Sequence, residues 1–590
     1  MFQMLADEWR RLVKCGGGFA DLSKAPKELE KTMPFEMTKD WWKSATGYQI
    51  YPRSFADSDG DGVGDIKGIL SKLDYLKDLG IGFIWLSPVF KSPMRDNGYD
   101  ISDYYDIAPE FGTLDDMDTL IAEAGRRNIG IVMDLVVNHS SDEHAWFEDA
   151  KSSREAALRD HYIWRDPAEG GGPPNDLHSF FGGPAWTLDE ASGQYYFHLF
   201  HSKQPDLNWQ NPKLRAKVYD MMNWWFDRGI VGFRMDVIDL IGKDPDNGIT
   251  ADGPDLHKFL QEMHDATLKG RDVVTVGEAW SANLSNAQQY TGANSGELSM
   301  VFQFSHISQD WDADFGKYKK KDVDFIALKK TFNAWQTTLQ NDGWNSLFWS
   351  NHDLPRAVSR FGNDTEYRVE SAKALGLVLH LMKGTPYIYQ GEEIGMTNSH
   401  FTSIDAFDDL EVHGQWADLK LRGLTEAEFL AGANQNGRDH ARTPMHWSAD
   451  AHAGFTTGTP WLPVNANFEQ VNVQTALGDP ASVLAFYQRL TRLRMDNPVL
   501  VGGGFEPLFE DHPQLWGYLR TPVDAGVGKT GAGAIVVLAN LSSQPSSVDL
   551  PEYLVGDVED LLSTHGPCSV LSPTMSLAPY EAVSCVLQAL

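Results

Sequence analysis

Four hydrophobic runs in this chain end in charged or hydrogen-bonding side chains: "DLVVNH" (134–139), "GFRMD" (232–236), "VGE" (276–278) and "NHD" (351–353). An apolar strand gains nothing from a carboxylate at its tip unless a partner or a reaction needs one. Asp236, Glu278 and Asp353 together suit hydrolysis of a glycosidic bond, which needs two carboxyl groups flanking the scissile bond, one ionised and one protonated. Arg234 lies two residues before Asp236, on the same strand face, and is expected to keep that acid ionised. Glu278 is then the proton donor, a role that calls for a poorly solvated, anionic setting. Asp353 is expected to stabilise charge on the sugar ring and to grip its hydroxyls, with His139 and His352 donating hydrogen bonds to them. The paired acids should stand roughly 5–5.5 Å apart if configuration is retained.

A second constellation is "DSDGDGVGD", which places Asp57, Asp59, Asp61 and Asp65 at alternate positions, with Val63 able to add a carbonyl. The spacing is that of an oxygen-ligand calcium loop with glycines at the tight wraps, although no flanking helix pair accompanies it. Four carboxylates so close together repel one another without a cation. A structural calcium ion is the expected cofactor.

These residues need a scaffold that brings strand ends together. Apolar strand-like runs alternate with helical patterns over most of the length. The strands are "YQIYP", "IGFIWLSPVF", "IGIVMDLVVNH", "IVGFRMDVI", "DVVTVGEAW", "SMVFQFSH", "NSLFWSNHD" and "TPYIYQGEEI". Between them lie amphipathic helices such as the one carrying Ile69, Leu73, Leu76 and Leu79, which Gly80 should end. Continuous apolar strands separated by helices are parallel strands covered on both faces, and a closed (β/α)8 TIM barrel is the economical arrangement. About seventy residues rich in Gly, Pro, Asp and aromatics separate His139 from the helix at Pro212, too many for an ordinary loop. The expected organisation is an N-terminal extension (1–36), the barrel (37–139 and 208–503), a small domain inserted after the third strand (140–207) and a C-terminal antiparallel β-sandwich (504–590).

Composition narrows the class of partner. A formal charge of −32 argues against nucleic acid and anionic membranes, and no apolar run reaches bilayer length. The first residues lack the uninterrupted apolar stretch of a signal peptide. Cys15, Cys568 and Cys585 form no metal-ligand cluster, and three cysteines suit a reducing cytoplasm better than a disulfide scaffold. The partner expected is a small oligosaccharide, taken by a monomer or small homo-oligomer.

The four strand-end motifs, in this order and spacing and joined by "QPDLNW" (204–209), resemble the α-amylase family of glycoside hydrolases, in its α-glucosidase and oligo-1,6-glucosidase branch. The resemblance runs from about residue 41 to the C-terminus. It implies Asp236 as nucleophile, Glu278 as acid/base and Asp353 as transition-state stabiliser, with Arg234, His139 and His352 lining the glucose subsite. It further implies that Asp96 and Tyr99 of "RDNGYDISDY" hold and stack on the terminal glucose. In "GRDHARTPMHW", the second arginine, Arg442, is implied to pair near Asp96 and close the pocket, hence exo-action. The "DSDGDGVGD" loop resembles that branch's structural calcium site. Val237 after the nucleophile goes, in that branch, with α-1,6 rather than α-1,4 bonds. The alternatives are an α-1,4-glucosidase or a sucrose-active hydrolase or isomerase, and more remotely a non-catalytic binding module. "SHISQDWDAD", which lacks arginine, argues against the isomerase.

Overall fold

The computed structural model describes residues 35, 37–522 and 533–588. The extension 1–36, apart from Phe35, lies outside the described residues.

All eight sequence-read runs form strands: β1 (Gly47–Ile50), β2 (Phe83–Leu86), β3 (Gly130–Leu135), β4 (Gly232–Met235), β5 (Val274–Glu278), β6 (Met300–Phe302), β7 (Ser346–Leu347) and β8 (Thr385–Tyr389). They pair in parallel in the order β6-β5-β4-β3-β2-β1-β8-β7. A parallel bridge from Val301 to Asn345 joins the two ends, with Ser346 Oγ donating to Val301 O at 2.6 Å. The sheet therefore closes on itself and has no free edge. Its interior is aromatic-rich, with Phe83, Trp85, Phe302, Phe348 and Tyr387 among Val132, Val274, Val276 and Met300.

Helices wrap the outside, and their ends follow local rules. Thr113 and Asp116 form a capping box at Leu114–Arg126. Asn211 caps Pro212–Asp227, where Pro212 needs no amide partner in the first turn. Gly80 ends its helix with φ 86°, a conformation glycine adopts without a Cβ penalty. That helix is not continuous as its spacing suggested: it divides into Ile66–Leu70 and Leu73–Leu79, with Ser71 and Lys72 between them.

Two excursions leave the barrel. Between β3 and Pro212–Asp227, the helix Ala145–Ser152 and an antiparallel sheet of Trp164–Arg165, Gln194–Phe197 and Trp186–Asp189 build the inserted unit. Between β8 and the helix Val483–Asp496 lies a second one, unforeseen from the sequence, with helices Leu410–Leu419, Glu426–Asn436 and Asp439–Arg442. Phe401, Phe407, Val412, Leu419 and Phe429 pack there against Tyr318 from the loop after β6.

The C-terminal unit is a six-stranded antiparallel sheet with a two-stranded ribbon, Ser546–Asp549 and Thr574–Leu577. Strand Leu515–Thr521 is buried along its whole length because both faces are covered. Alternate residues Trp516 and Tyr518 pack with Leu375, Leu377 and Val378 of the barrel's outer helices, while Leu515 and Leu519 join Leu550, Leu554 and Leu577 on the other face. The sandwich's second layer is thus the small ribbon.

Candidate active site

Strand register assembles the site. Val132 and Asp134 of β3 stand beside Gly232 and Arg234 of β4, and Val276 and Gly277 of β5 stand beside Arg234 and Met235. One residue further along, Asp236 and Glu278 emerge together at the C-terminal ends of neighbouring strands. Asp236 is anchored by its own amide, which donates to Leu135 O at 3.0 Å.

Arg234 sits between three carboxylates. Its Nη1 donates to Asp236 Oδ1 at 2.6 Å and to Asp134 Oδ1 at 2.9 Å, and its Nη2 donates to Glu278 Oε2. Asp236 and Glu278 thus face one guanidinium from two strands, as an acid pair flanking one bond requires. Asp134 also accepts from Trp85 Nε1 and Tyr99 Oη, both at 3.0 Å. Burial is the strongest influence on Asp236 and pushes it up. Arg234 pulls it down, Glu278 and Asp134 push it up again, and the carboxyl ends well above its usual range. Burial likewise lifts Asp134 to about 6 against the opposing Arg234, Trp85 and Tyr99. Arg234 is therefore opposed, rather than acting alone as the sequence suggested. Asp134 and Asp236, both raised by burial beside one cation, titrate as a pair rather than singly.

Glu278 is held by its neighbours' donors: Val237 N at 3.2 Å to Oε2 and Trp280 Nε1 at 3.0 Å to Oε1. Val237 has φ 34° and ψ 46°, left-handed values that cost a β-branched residue of order 1–3 kcal/mol. That backbone turn aims the Val237 amide at Glu278.

Asp353 lies on the other side. Its Oδ1 accepts from Arg442 Nη2 at 2.8 Å and Arg438 Nη1 at 3.2 Å, and its Oδ2 lies 3.1 Å from His352 Nε2. Burial raises the Asp353 carboxyl, but His352, Arg438, Arg442 and Arg234 outweigh it and hold it well below the usual range. Asp353 is ionised at any working pH.

The histidines depart from expectation. Burial lowers His352 to about 3 and His139 to about 4, so both rings are neutral. His352 Nδ1 accepts from Gln49 Nε2 at 2.8 Å, leaving Nε2–H for Asp353. His139 contacts Asn138 Nδ2 at 3.0 Å, Tyr99 O at 3.1 Å and Gln204 Nε2 at 3.2 Å. Any bond from these rings to a sugar hydroxyl is shared with protein, and their first effect is to orient Tyr99 and Asp353. The Tyr99 ring stacks on His352 at 5.2 Å and 4°.

Arg442 was expected beside Asp96, but the first lid arginine, Arg438, lies nearer to it. Arg438 reaches Asp96 at 4.0 Å and Asp409 Nε–Oδ2 at 2.9 Å, as well as Asp353. Arg442 pairs with Asp353 and donates from Nε to His352 O at 3.1 Å. Four residues apart, they lie one helical turn from each other, and the earlier one stands nearer Asp96. Asp96 also accepts from Gln204 Nε2 at 3.1 Å.

These groups border one cavity of ≈ 710 Å³, lined by Asp96, Tyr99, His139, Asp236, Val237, Glu278, Asp353 and Arg438. Phe180, Phe181 and Phe200 from the inserted unit, Trp280, Trp311 and Phe315, and Lys317 and Glu411 form the rest of its wall. Sequence reasoning missed Asp134, Gln49, Gln204, Trp280 and Arg438. Asp134 and Gln204 open the quoted motifs "DLVVNH" and "QPDLNW", a signal that could have found them; Gln49 shows only through its contact with His352.

In the loop after β1, carboxylate oxygens of Asp57, Asp59 and Asp61 lie within 4.8 Å of one another. Asp65 points elsewhere: it accepts from Ser58 N and Oγ at 2.9 and 2.8 Å and from Gly68 N at 2.7 Å, capping the helix Ile66–Leu70.

The family model described as "Alpha amylase, catalytic domain" matches residues 49–503. The chain is 51% identical to a palatinase of Erwinia rhapontici, covering 93% of this chain and 99% of that protein. It is also 51% identical to a glucan 1,6-alpha-glucosidase of Streptococcus pneumoniae, covering 92% and 99%. The crystal structure of Bacillus licheniformis trehalose-6-phosphate hydrolase superposes with a TM-score of 0.87 at 43% identity, covering 93% of this chain and all of that one. With this agreement running through nearly the full length of each protein, the chain belongs to the α-amylase family, family 13 of the glycoside hydrolases.

Proposed function

We propose that the protein is a retaining, exo-acting α-glucosidase that removes terminal glucose from short oligosaccharides, with preference for α-1,6 bonds. The observation that carries this reading is the placement of Asp236 and Glu278 on one guanidinium at the wall of a single cavity. In this reading Asp236 attacks the anomeric carbon while Glu278 gives its proton to the leaving oxygen. Glu278 then takes a proton from water, which displaces Asp236, and glucose leaves with its α configuration retained. Asp353, ionised by its two arginines, opposes the positive charge that grows on the ring. Asp96, Tyr99 and Arg438 close the cavity behind one glucose, which favours chain ends.

The α-1,6 preference rests on Val237 at the cavity wall and on likeness to a glucan 1,6-alpha-glucosidase. A phosphorylated aglycone is less well served. Lys317 pairs with Glu411 at 2.8 Å and Arg422 donates to the backbone carbonyl of Asp314, so a phosphate would compete with an acid and a carbonyl already in place. Asp57, Asp59 and Asp61, with the Val63 carbonyl, fit a hard cation such as calcium, which would brace the loop after β1. Asp65 would support it as a helix cap. Among the described residues no helix is long and apolar enough to cross a membrane. Three cysteines in 590 residues favour a reducing compartment, and on that ground we place the enzyme in the cytoplasm.

The test is a panel of isomaltose, panose, dextran, maltose, sucrose, trehalose and trehalose-6-phosphate, with the anomer first released read by NMR. Isomaltose and panose should be fastest and α-glucose should appear first. Faster cleavage of maltose would overturn the linkage preference, and β-glucose would overturn the mechanism.

A further inference from the structure

Three residues beyond Asp236, the short turn Ile238–Leu240 carries a carboxylate with no solvent exposure, Asp239. Its Oδ2 accepts two hydrogen bonds from one residue of the next strand's loop: Ser281 N at 2.7 Å and Ser281 Oγ at 2.6 Å. Ser281 follows Trp280, whose indole N–H meets Glu278 Oε1 at 3.0 Å. The Trp280 ring lies flat on Phe304, 3.9 Å between centroids and 9° between planes. Two residues before Asp239, the Val237 amide reaches the other oxygen of Glu278. The turn after β4 thus grips Glu278 directly through Val237 and indirectly through Asp239, Ser281 and Trp280.

We infer that Asp239 is a positioning residue for the proton donor, fixing the turn after β5 so that the Trp280 indole holds Glu278 at the angle from which it protonates the leaving oxygen. Trp280 is 44% exposed; it stacks on Phe304 and lies 6.1 Å from the Trp311 ring, and a flat stack by itself resists sliding along its face only weakly. What stops the slide is the backbone at Ser281, pinned at its amide and hydroxyl by one oxygen. Charge-assisted bonds to a buried carboxylate are roughly twice as strong as neutral ones. Misplacement of a catalytic group by about 1 Å can cost about a hundredfold in rate.

The inference rests on Glu278 being the acid, and leaving-group dependence separates the two claims. A poor leaving group needs the donated proton, whereas an activated aryl leaving group departs with little help. Asp239→Ala, Asp239→Asn and Glu278→Gln are compared with the parent enzyme on isomaltose and on aryl α-glucosides of decreasing leaving-group pKa. For Asp239→Ala, kcat/KM on isomaltose should fall about tenfold or more, while the most activated aryl glucoside changes by less than about threefold. Asp239→Asn keeps an oxygen in place for Ser281 and should restore most of the isomaltose activity. An equal loss on all substrates, or no recovery with the folded Asn variant, overturns the positioning role. If Glu278→Gln shows no leaving-group dependence, the acid assignment itself fails; if it does and Asp239→Ala does not, only the present inference falls. Should Asp239→Ala not fold, Ser281→Ala removes the hydroxyl half of the tether, and absence of the same selective loss is equally decisive.

Discussion

Replacing Arg234 by Met removes the one cation shared by Asp134, Asp236 and Glu278 while nearly conserving volume. Charges about 4 Å apart interact by about 4 kcal/mol at an effective dielectric near 20. The Arg234–Asp236 contact at 2.6 Å between N and O places the charge centres near that distance. At about 1.4 kcal/mol per pKa unit, loss of the guanidinium should raise Asp236 by about three units beyond its already elevated position. The proposed nucleophile would then keep its proton to higher pH. The expected result is an acid limb of kcat/KM displaced upward by about three pH units, with the loss recovering about tenfold per unit as pH rises through that range. Stability supplies a second reading. Acids whose folded pKa exceeds the unfolded value, near 4, bind more protons in the folded state, so stability falls as pH rises from about 4 through the folded value. Thermal melts of Arg234→Met should show that fall extending to higher pH than in the parent. An unchanged acid limb with a uniform loss at every pH would refute the electrostatic account.

Val237→Ala should change the isomaltose-to-maltose ratio of kcat/KM by roughly 10- to 100-fold toward maltose, since one pocket methyl or two discriminates by about 1–3 kcal/mol; an unchanged ratio removes Val237 as the determinant. Calcium at about 100 times its Kd should stabilise the parent by about 2.7 kcal/mol in melts, and Asp59→Ala should erase that gain. Asp65→Ala should instead cost about 1 kcal/mol with or without calcium, because its carboxylate caps a helix. Burial lifts Glu392 to about 8, only partly opposed by Tyr487 and Ser350. Its folded pKa lies above its unfolded value, so it costs stability progressively between about pH 4.5 and 8. Glu392→Gln should raise the melting temperature at pH 8 relative to the parent and show no such gain at pH 5.

Much of the catalytic frame was legible from local pattern. All eight barrel strands were visible because a strand covered on both faces must be apolar throughout, which leaves its polar tip conspicuous. The excursion between β8 and Val483–Asp496 was not read as a unit, since it contains no strand and its helices are short. Its one clear local signal was the Thr425–Glu428 capping box. From that segment only "GRDHARTPMHW" was read, with Arg442 named beside Asp96, whereas the structure sets Arg438, one helical turn earlier, nearer to it. Asp65 shows a role that alternation of acids did not reveal: a helix beginning at Ile66 takes its carboxylate as a cap.

The sequence by itself determined which side chains stand at the strand ends, because alternation along a strand is a local property of the backbone. Only the closed barrel decided which of them meet. Register between β3, β4 and β5 set Asp134, Asp236 and Glu278 around a single guanidinium, and burial there, more than any neighbour in the chain, raises the Asp134 and Asp236 carboxyls.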